Sequence, residues 1–211
     1  MNFSQKKIVK YCEEHTTRSS AIATRLERET NLKTLAPQMI SGAYQGKLLQ
    51  ILCSAIKPKL VLEIGTFTGY AALHLAKGLG ENGVLHTIEA NEELAFIIEK
   101  YIKEAKIHNK VVRHYGDAME IIPTIKGSFD LVFIDAGKRM YTDFYDKIID
   151  RINPGGLILV DNVLWSGKVV SQKHDKDTTI IHDFNKKVHN DKRVENIILP
   201  IRDGLLMAVK I

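Results

Sequence analysis

The chain has 211 residues, 45% apolar and 26% charged, enough for one globular core that needs no disulfide or metal staple. Its two cysteines, Cys12 and Cys53, have neither metal-ligand spacing nor a disulfide framework, so a reducing cytoplasm is the expected compartment. The net charge of +5 is concentrated in residues 1–60, with ten Lys/Arg against four Asp/Glu, and no apolar run reads as a membrane span or a signal h-region.

In chain order, residues 2–34 read as charged helices. Phe3, Ile8, Val9 and Tyr11 line one side of the first, and Ser19-Ser20 cap a second over 21–31. Residues 34–37 break the pattern. Residues 43–56 form an amphipathic helix carrying Leu48, Leu49, Ile51, Leu52, Ala55 and Ile56, which Lys57-Pro58-Lys59 ends. Strands then alternate with helices. The strands fall at 60–64, 84–88, 111–115, 130–134, 157–160, 194–199 and 205–210, and the helices near 70–79, 92–107, 118–123, 141–152 and 178–190. Asn153-Pro154-Gly155-Gly156 reads as a turn before the fifth strand. Alternating βα units predict an α/β fold, a mostly parallel sheet with helices on both faces. Only Arg202-Asp203-Gly204 separates the last two apolar runs, so the sheet should close with an antiparallel hairpin.

The segment from Val61 to Tyr70 carries the chemistry. A buried strand ends in Gly65-Thr66-Phe67-Thr68-Gly69, and a helix follows, which is the layout of a nucleotide site. The pattern is Gly-x-x-x-Gly, and Phe67 stands where a dinucleotide fingerprint needs glycine beside the pyrophosphate. A nicotinamide cofactor is therefore disfavoured. Glu89 ends the second strand, where a carboxylate can accept from both ribose hydroxyls, and Gly116-Asp117-Ala118 follow the third. An adenosine without phosphates is the ligand these residues suggest. Asp135 ends the fourth strand and Asp161-Asn162 the fifth. Three oxygen donors without Cys or His suit a hard cation such as Mg²⁺, although Asp and Asn also serve as plain turn residues. Lys138, three residues after Asp135, can be a base if the site lowers its pKa, or an ordinary loop lysine like its neighbour Arg139. His74, His86, His114 and His182 show no ligand spacing.

These stretches resemble the class I S-adenosylmethionine-dependent, cation-dependent O-methyltransferases, the catechol and caffeoyl-CoA type. The resemblance spans about residues 35–211. It rests on the sequence from Met39 through Gln45-Gly46 to Leu49, on Leu62-Glu63-Ile64-Gly65-Thr66-Phe67-Thr68-Gly69-Tyr70, and on Ile88-Glu89 and Gly116-Asp117-Ala118. It continues through Phe133-Ile134-Asp135-Ala136-Gly137-Lys138, Asp161 through Gly167, and Asp203-Gly204. It implies a Rossmann-like seven-stranded sheet whose last strand is antiparallel. It implies residues 1–40 as a helical extension shaping substrate or dimer contacts, and 41–211 as the methyltransferase domain. S-adenosylmethionine would be held by Met39, Glu63, Gly65, Phe67, Tyr70, Ala71, Glu89, Asp117, Ala118, Asp135 and Ala136. Ala71 departs from the serine common there, and Ala136 from a larger residue in the animal catechol enzymes, so one hydrogen bond and a ring stack are not expected. Mg²⁺ or another divalent cation would sit on Asp135, Asp161 and Asn162. Lys138 would be the catalytic base, and Met39, Lys138 and Trp165 would meet the acceptor. Trp165 reads equally as a core or dimer-contact residue, and Arg202 as a surface turn.

The leading expectation is methyl transfer to one hydroxyl of a catechol-like small molecule by a cytoplasmic homodimer with no membrane contact. A second is methylation of a hydroxylated nucleoside in tRNA, suggested by the basic Lys6, Lys7, Lys10, Arg18, Arg25 and Arg28. A third is a non-catalytic module that binds an adenosine ligand.

Overall fold

The computed structural model describes residues 3–211, with side chains from Lys7 onward, so the expectations for the side chains of Phe3 and Lys6 lie outside the described residues. Seven strands form one sheet: β1 Leu60–Ile64, β2 Val84–Glu89, β3 Val111–Tyr115, β4 Phe129–Ile134, β5 Ile152–Val160, β6 Val194–Leu199 and β7 Leu205–Lys210. Their spatial order is β3-β2-β1-β4-β5-β7-β6. Strands β1 to β5 are parallel, and β7 runs antiparallel between β5 and β6. The order reverses between β1 and β4, which opens a crevice at their carboxyl ends.

Side-chain alternation explains the layers, since successive residues of a strand face opposite sides. Val61, Leu131, Phe133 and Leu159 face one core, covered by α2 (Ala21–Lys33), α3 (Gly42–Ile56), α4 (Tyr70–Gly78) and α5 (Ala95–Glu104). Leu62, Val132, Ile158 and Leu206 face the other, under α6 (Ala118–Ile121), α7 (Tyr141–Ile148) and α8 (Lys176–Asn190). Both central faces are buried, so the strands read as continuous apolar runs.

The helix α1 (Phe3–Glu14) forms where expected, and its Ile8, Val9 and Tyr11 are exposed. The next helix is integrated. Ser20 caps α2 by accepting from the Ala23 N–H, and Ala23 and Leu26 enter the first core. Thr30 meets Thr68 of the glycine turn, hydroxyl to hydroxyl, at 2.9 Å. Glu29 accepts from the Tyr101 hydroxyl at 2.8 Å and pairs with Lys33 and Lys100, so α2 is clamped to α5.

Asn153-Pro154-Gly155-Gly156 does not precede β5; it lies inside it. Phe129 pairs with Ile152 and Leu131 with Leu157, so β5 spends five residues where β4 spends two. The extra residues leave the ladder as a bulge, with Gly155 at φ +78°. Helix limits also tighten. The helix α6 gives way to a 3₁₀ turn at 122–124 containing Pro123, and α7 stops at Ile148 before another at 149–151. The last helix starts two residues early, because the Asp175 carboxylate accepts from the Thr178 N–H.

Candidate functional site

The turn after β1 is fixed from three sides. Gly65 has φ +97°, and a Cβ there would lie 1.9 Å from the Asp135 carbonyl oxygen, so only glycine lets β1 and β4 end this close together. Phe67 adopts φ +51°, a left-handed conformation that costs a residue with a side chain about 1–3 kcal/mol. Its N–H donates to Glu89 Oε2 at 2.6 Å, while Glu89 Oε1 accepts from the Asn91 N–H at 2.9 Å. The carboxylate at the end of β2 thus holds the turn at the end of β1 and keeps lone pairs free toward the crevice.

Glu63 lies beneath this turn, fully buried. Its Oε2 accepts from the Thr87 hydroxyl, which also meets the Thr66 hydroxyl. Its Oε1 is buried without a partner. Burial, reinforced by the nearby charges of Asp135 and Glu89, pushes its pKa up to about 8. Gly69 at φ +89° opens α4, whose first residues Tyr70 and Ala71 are buried. The Tyr70 side chain is committed to the core, its hydroxyl 3.1 Å from Ser19 Oγ. Across the crevice, Asp117 is exposed and accepts from the Met119 N–H at 2.8 Å, and the buried Ala118 starts α6.

The ends of β4 and β5 bring Asp135, Asp161 and Asn162 together. The Asp135 N–H donates to the Ile64 carbonyl at 2.9 Å and the Asp161 N–H to the Ile134 carbonyl at 3.0 Å, so both residues continue the ladder by one bond. Asp161 is buried and hydrogen-bonded at each carboxylate oxygen and at its carbonyl. Its Oδ2 accepts from Gln45 Nε2 at 2.7 Å, its Oδ1 from the Asn162 N–H at 2.8 Å, and its carbonyl from the Tyr141 hydroxyl at 2.9 Å. Burial raises both carboxyl pKa values, and the charge of Asp161 helps to lift Asp135 to about 8; Arg202 acts against both shifts. Arg202 lies in the exposed turn expected of it and also reaches α3. Its guanidinium donates to the Ser41 carbonyl, joining the β6–β7 hairpin to the start of α3.

The loop after β5 is wound left-handed at Asn162, Trp165, Ser166 and Gly167. The hairpin supports it. The Leu164 N–H donates to the Asp203 carbonyl at 2.8 Å, the Ser166 N–H to the Asp203 carboxylate, and a Cβ on Gly204 would lie 2.4 Å from Leu164 Cγ.

Lys138 begins the 3₁₀ turn before α7, and its ammonium stands 3.1 Å from the centroid of the Trp165 ring. Partial burial lowers its pKa, the direction a base requires. Ala136, Lys138, Asn162 and Trp165 share the wall of a cleft of about 400 Å³. Arg139 lines the same cleft but is paired with Asp177 at 3.2 Å. A second cleft of similar volume lies between the N-terminal helices and the start of α3, with Glu27, Ser41, Tyr44 and Arg202 on its wall. Met39 is 58% exposed, while its neighbours Gln38 and Ile40 line that second cleft. The histidines stay away from both clefts: His74 is buried in the core, and His86 and His114 bond to each other at 2.9 Å.

Gln45 was given no role from sequence, and the side-chain contact of Arg202 was not legible there either. Their partners lie 116 and 161 positions away, a separation that no local pattern encodes. The only signal for Gln45 was a polar residue in the stripe of α3 that also buries Leu49 and Cys53.

Among the described residues, no three His, Cys, Asp or Glu side chains cluster closely enough to hold a metal ion. The candidate set is two carboxylates and one amide. Asp135 stands beside the buried Asp161, whose charge raises its pKa; a bound cation relieves such an environment, and an all-oxygen set matches a hard one, so the residues fit a divalent cation. The unpartnered Glu63 Oε1 beneath a glycine turn likewise fits a ligand that brings a hydrogen-bond donor.

A family model described as O-methyltransferase matches residues 13–211. The mouse catechol O-methyltransferase domain-containing protein 1 is 34% identical over 173 residues, 79% of this chain; the chain spans 66% of that relative's length. Caffeoyl-CoA O-methyltransferase 1 of Eucalyptus globulus is 32% identical over 185 residues, 82% of this chain and 75% of its own. The crystal structure of the O-methyltransferase TomG from Streptomyces achromogenes, in complex with SAM, superposes with a TM-score of 0.89 at 26% identity, covering 100% of this chain and 99% of its own.

Proposed function

The chain belongs to the O-methyltransferase family as a class I, S-adenosylmethionine-dependent member, and from that premise we propose that it methylates one hydroxyl of a small catechol-like molecule with the help of a divalent cation. The observation that carries this reading is that Asp135, Asp161 and Asn162 follow the neighbouring ends of β4 and β5, and that Asn162 shares one cleft with Lys138 and Trp165.

In this reading the β1 turn, Glu63, Glu89, Asp117 and Ala118 bind the cofactor, with Met39, Tyr70, Ala71, Asp135 and Ala136 around it. S-adenosylmethionine, when bound, supplies an electrophilic methyl group, and a cation on Asp135, Asp161 and Asn162 favours the ionised form of the acceptor hydroxyl. Lys138 takes the hydroxyl proton on Nζ, helped by its lowered pKa. Trp165 presents its ring as a wall that orients a flat acceptor and excludes water.

Residues 1–40, with α1 and α2, would shape the acceptor side through the second cleft. A homodimer is supported by two exposed apolar surfaces, Ile8, Val9 and Tyr11 on α1, and Ile197 and Val209 on the face of β6 and β7 that continues the first core. No helix among the described residues is long and apolar enough to cross a membrane, and the unpaired Cys12 and Cys53 support a cytoplasmic location.

The tRNA reading keeps its basis in the basic first 60 residues. It is weakened because Arg25 is bound to Glu104 at 2.7 Å and Lys10 pairs with Glu14 at 3.7 Å. The test is methylation with labelled cofactor across catechols, caffeoyl-CoA and undermodified tRNA, with and without a chelator. Catechol turnover that falls in chelator and returns with Mg²⁺ is the expected result. Lys138→Ala should lower kcat about 10²–10⁴-fold. Full activity in excess chelator would remove the cation from the mechanism, and undiminished turnover in Lys138→Ala would remove the base.

A further inference from the structure

We propose that Gln45 is a positioning residue for the Asp161 carboxylate, fixing the oxygen arrangement that receives the divalent cation. The inference rests on the cation reading above and assigns to α3 a part in the site that its sequence does not announce.

Gln45 sits in the first turns of α3, on a side that buries Gly46, Leu49 and Cys53. An apolar residue would fill that place without polar cost. Glutamine there is fully buried, and its Oε1 has no hydrogen-bond partner, which costs about 1–3 kcal/mol. Packing alone does not explain a side chain that carries this penalty. The amide instead makes one bond, Nε2 to Asp161 Oδ2 at 2.7 Å. Asp161 Oδ1 is held at the same time by the Asn162 N–H at 2.8 Å. The carboxylate is therefore gripped at both oxygens, so its plane is set before any ligand arrives. One lone pair of each oxygen remains for a cation. A donor on the far side of a ligating group acts by orienting it, and loss of such donors weakens cation binding about 10–100-fold.

The same helix start is held a second time, where the Arg202 guanidinium donates to the Ser41 carbonyl. The first turns of α3 are thus tied to the loop after β5 and to the hairpin that supports that loop. Gln45 is the only one of these ties that reaches a proposed ligand.

The experiment compares wild type with Gln45→Met, which keeps the length and apolar packing but lacks the donor, and with Gln45→Asn, which keeps the amide but is one methylene too short. Mn²⁺ binding is measured by electron paramagnetic resonance on the cofactor-free protein, and S-adenosylmethionine binding by calorimetry. Expected are a 10–100-fold weaker Mn²⁺ affinity in both variants, unchanged cofactor affinity within about twofold, and a melting temperature in Gln45→Met close to wild type, because loss of the unpartnered Oε1 offsets the donor lost to Asp161. In turnover, the Mg²⁺ concentration for half activity should rise far more than kcat falls. Mn²⁺ affinity within twofold of wild type in both variants would overturn the proposal and leave the cation reading standing. Cation and cofactor affinity falling together would overturn it in favour of a merely structural role. A wild-type protein that binds no Mn²⁺ would remove the cation reading and this proposal with it.

Discussion

A methyl group added at Gly65 would overlap the Asp135 carbonyl oxygen, and the φ of +97° already disfavours any side chain there. Gly65→Ala is expected to lose at least about 2 kcal/mol in urea unfolding and to abolish cofactor binding in calorimetry. A variant with wild-type stability and affinity would show that the two strand ends can separate freely. Gly65, Glu89, Asp135 and Asp161 were legible in the sequence because each stands at the end of a buried apolar run, where an α/β sheet exposes side chains to ligand. Phe67 excluded a dinucleotide on size alone, but its bond to Glu89 was hidden, since that contact joins two separate strand ends. Arg202 does stand in an exposed turn, but its bond to Ser41 was hidden, because a turn sequence describes the backbone and not what a long side chain reaches.

At the scale of elements, Glu29 on α2 is the clearest test of how the N-terminal helices are attached. Hydrogen bonds from Lys100, Lys33 and Tyr101 hold its pKa down at about 2, against 4.5 for a free glutamate. A depressed carboxyl stabilises the fold above its unfolded pKa and loses that contribution as the pH falls toward the folded one. Glu29→Gln should therefore cost about 1 kcal/mol at pH 7, and the difference from wild type should vanish between pH 4.5 and about 2. Chemical denaturation at a series of pH values checks this; a gap that persists at the acid end would contradict it. Strand positions followed from apolar periodicity almost to the residue. The bulge in β5 did not, because Asn-Pro-Gly-Gly is turn chemistry whether it ends a strand or loops out of one, and only pairing with β4 decides between them.

For the whole molecule, the cofactor crevice sits where the sheet order reverses and α2 is bonded to the glycine turn through Thr30 and Thr68. Occupancy of the crevice should stabilise the entire fold by mass action. S-adenosylmethionine at 100 times its Kd is expected to add about 2.7 kcal/mol and raise the melting temperature, while NAD at the same concentration leaves it unchanged. Equal shifts with both would mean that Phe67 does not discriminate.

The place of β7 has a consequence for biosynthesis. Of the seven strands it comes last in chain order, yet it lies inside the sheet, between β5 and β6. Until it leaves the ribosome, β5 has an open edge with unpaired backbone groups, and the loop carrying Asn162 and Trp165 lacks its props at Asp203 and Gly204. A nascent chain that has already folded the turn after β1 would still lack the proposed acceptor site. It would also expose a sticky strand edge, so the interval before β7 emerges is the one in which this sheet most needs a chaperone.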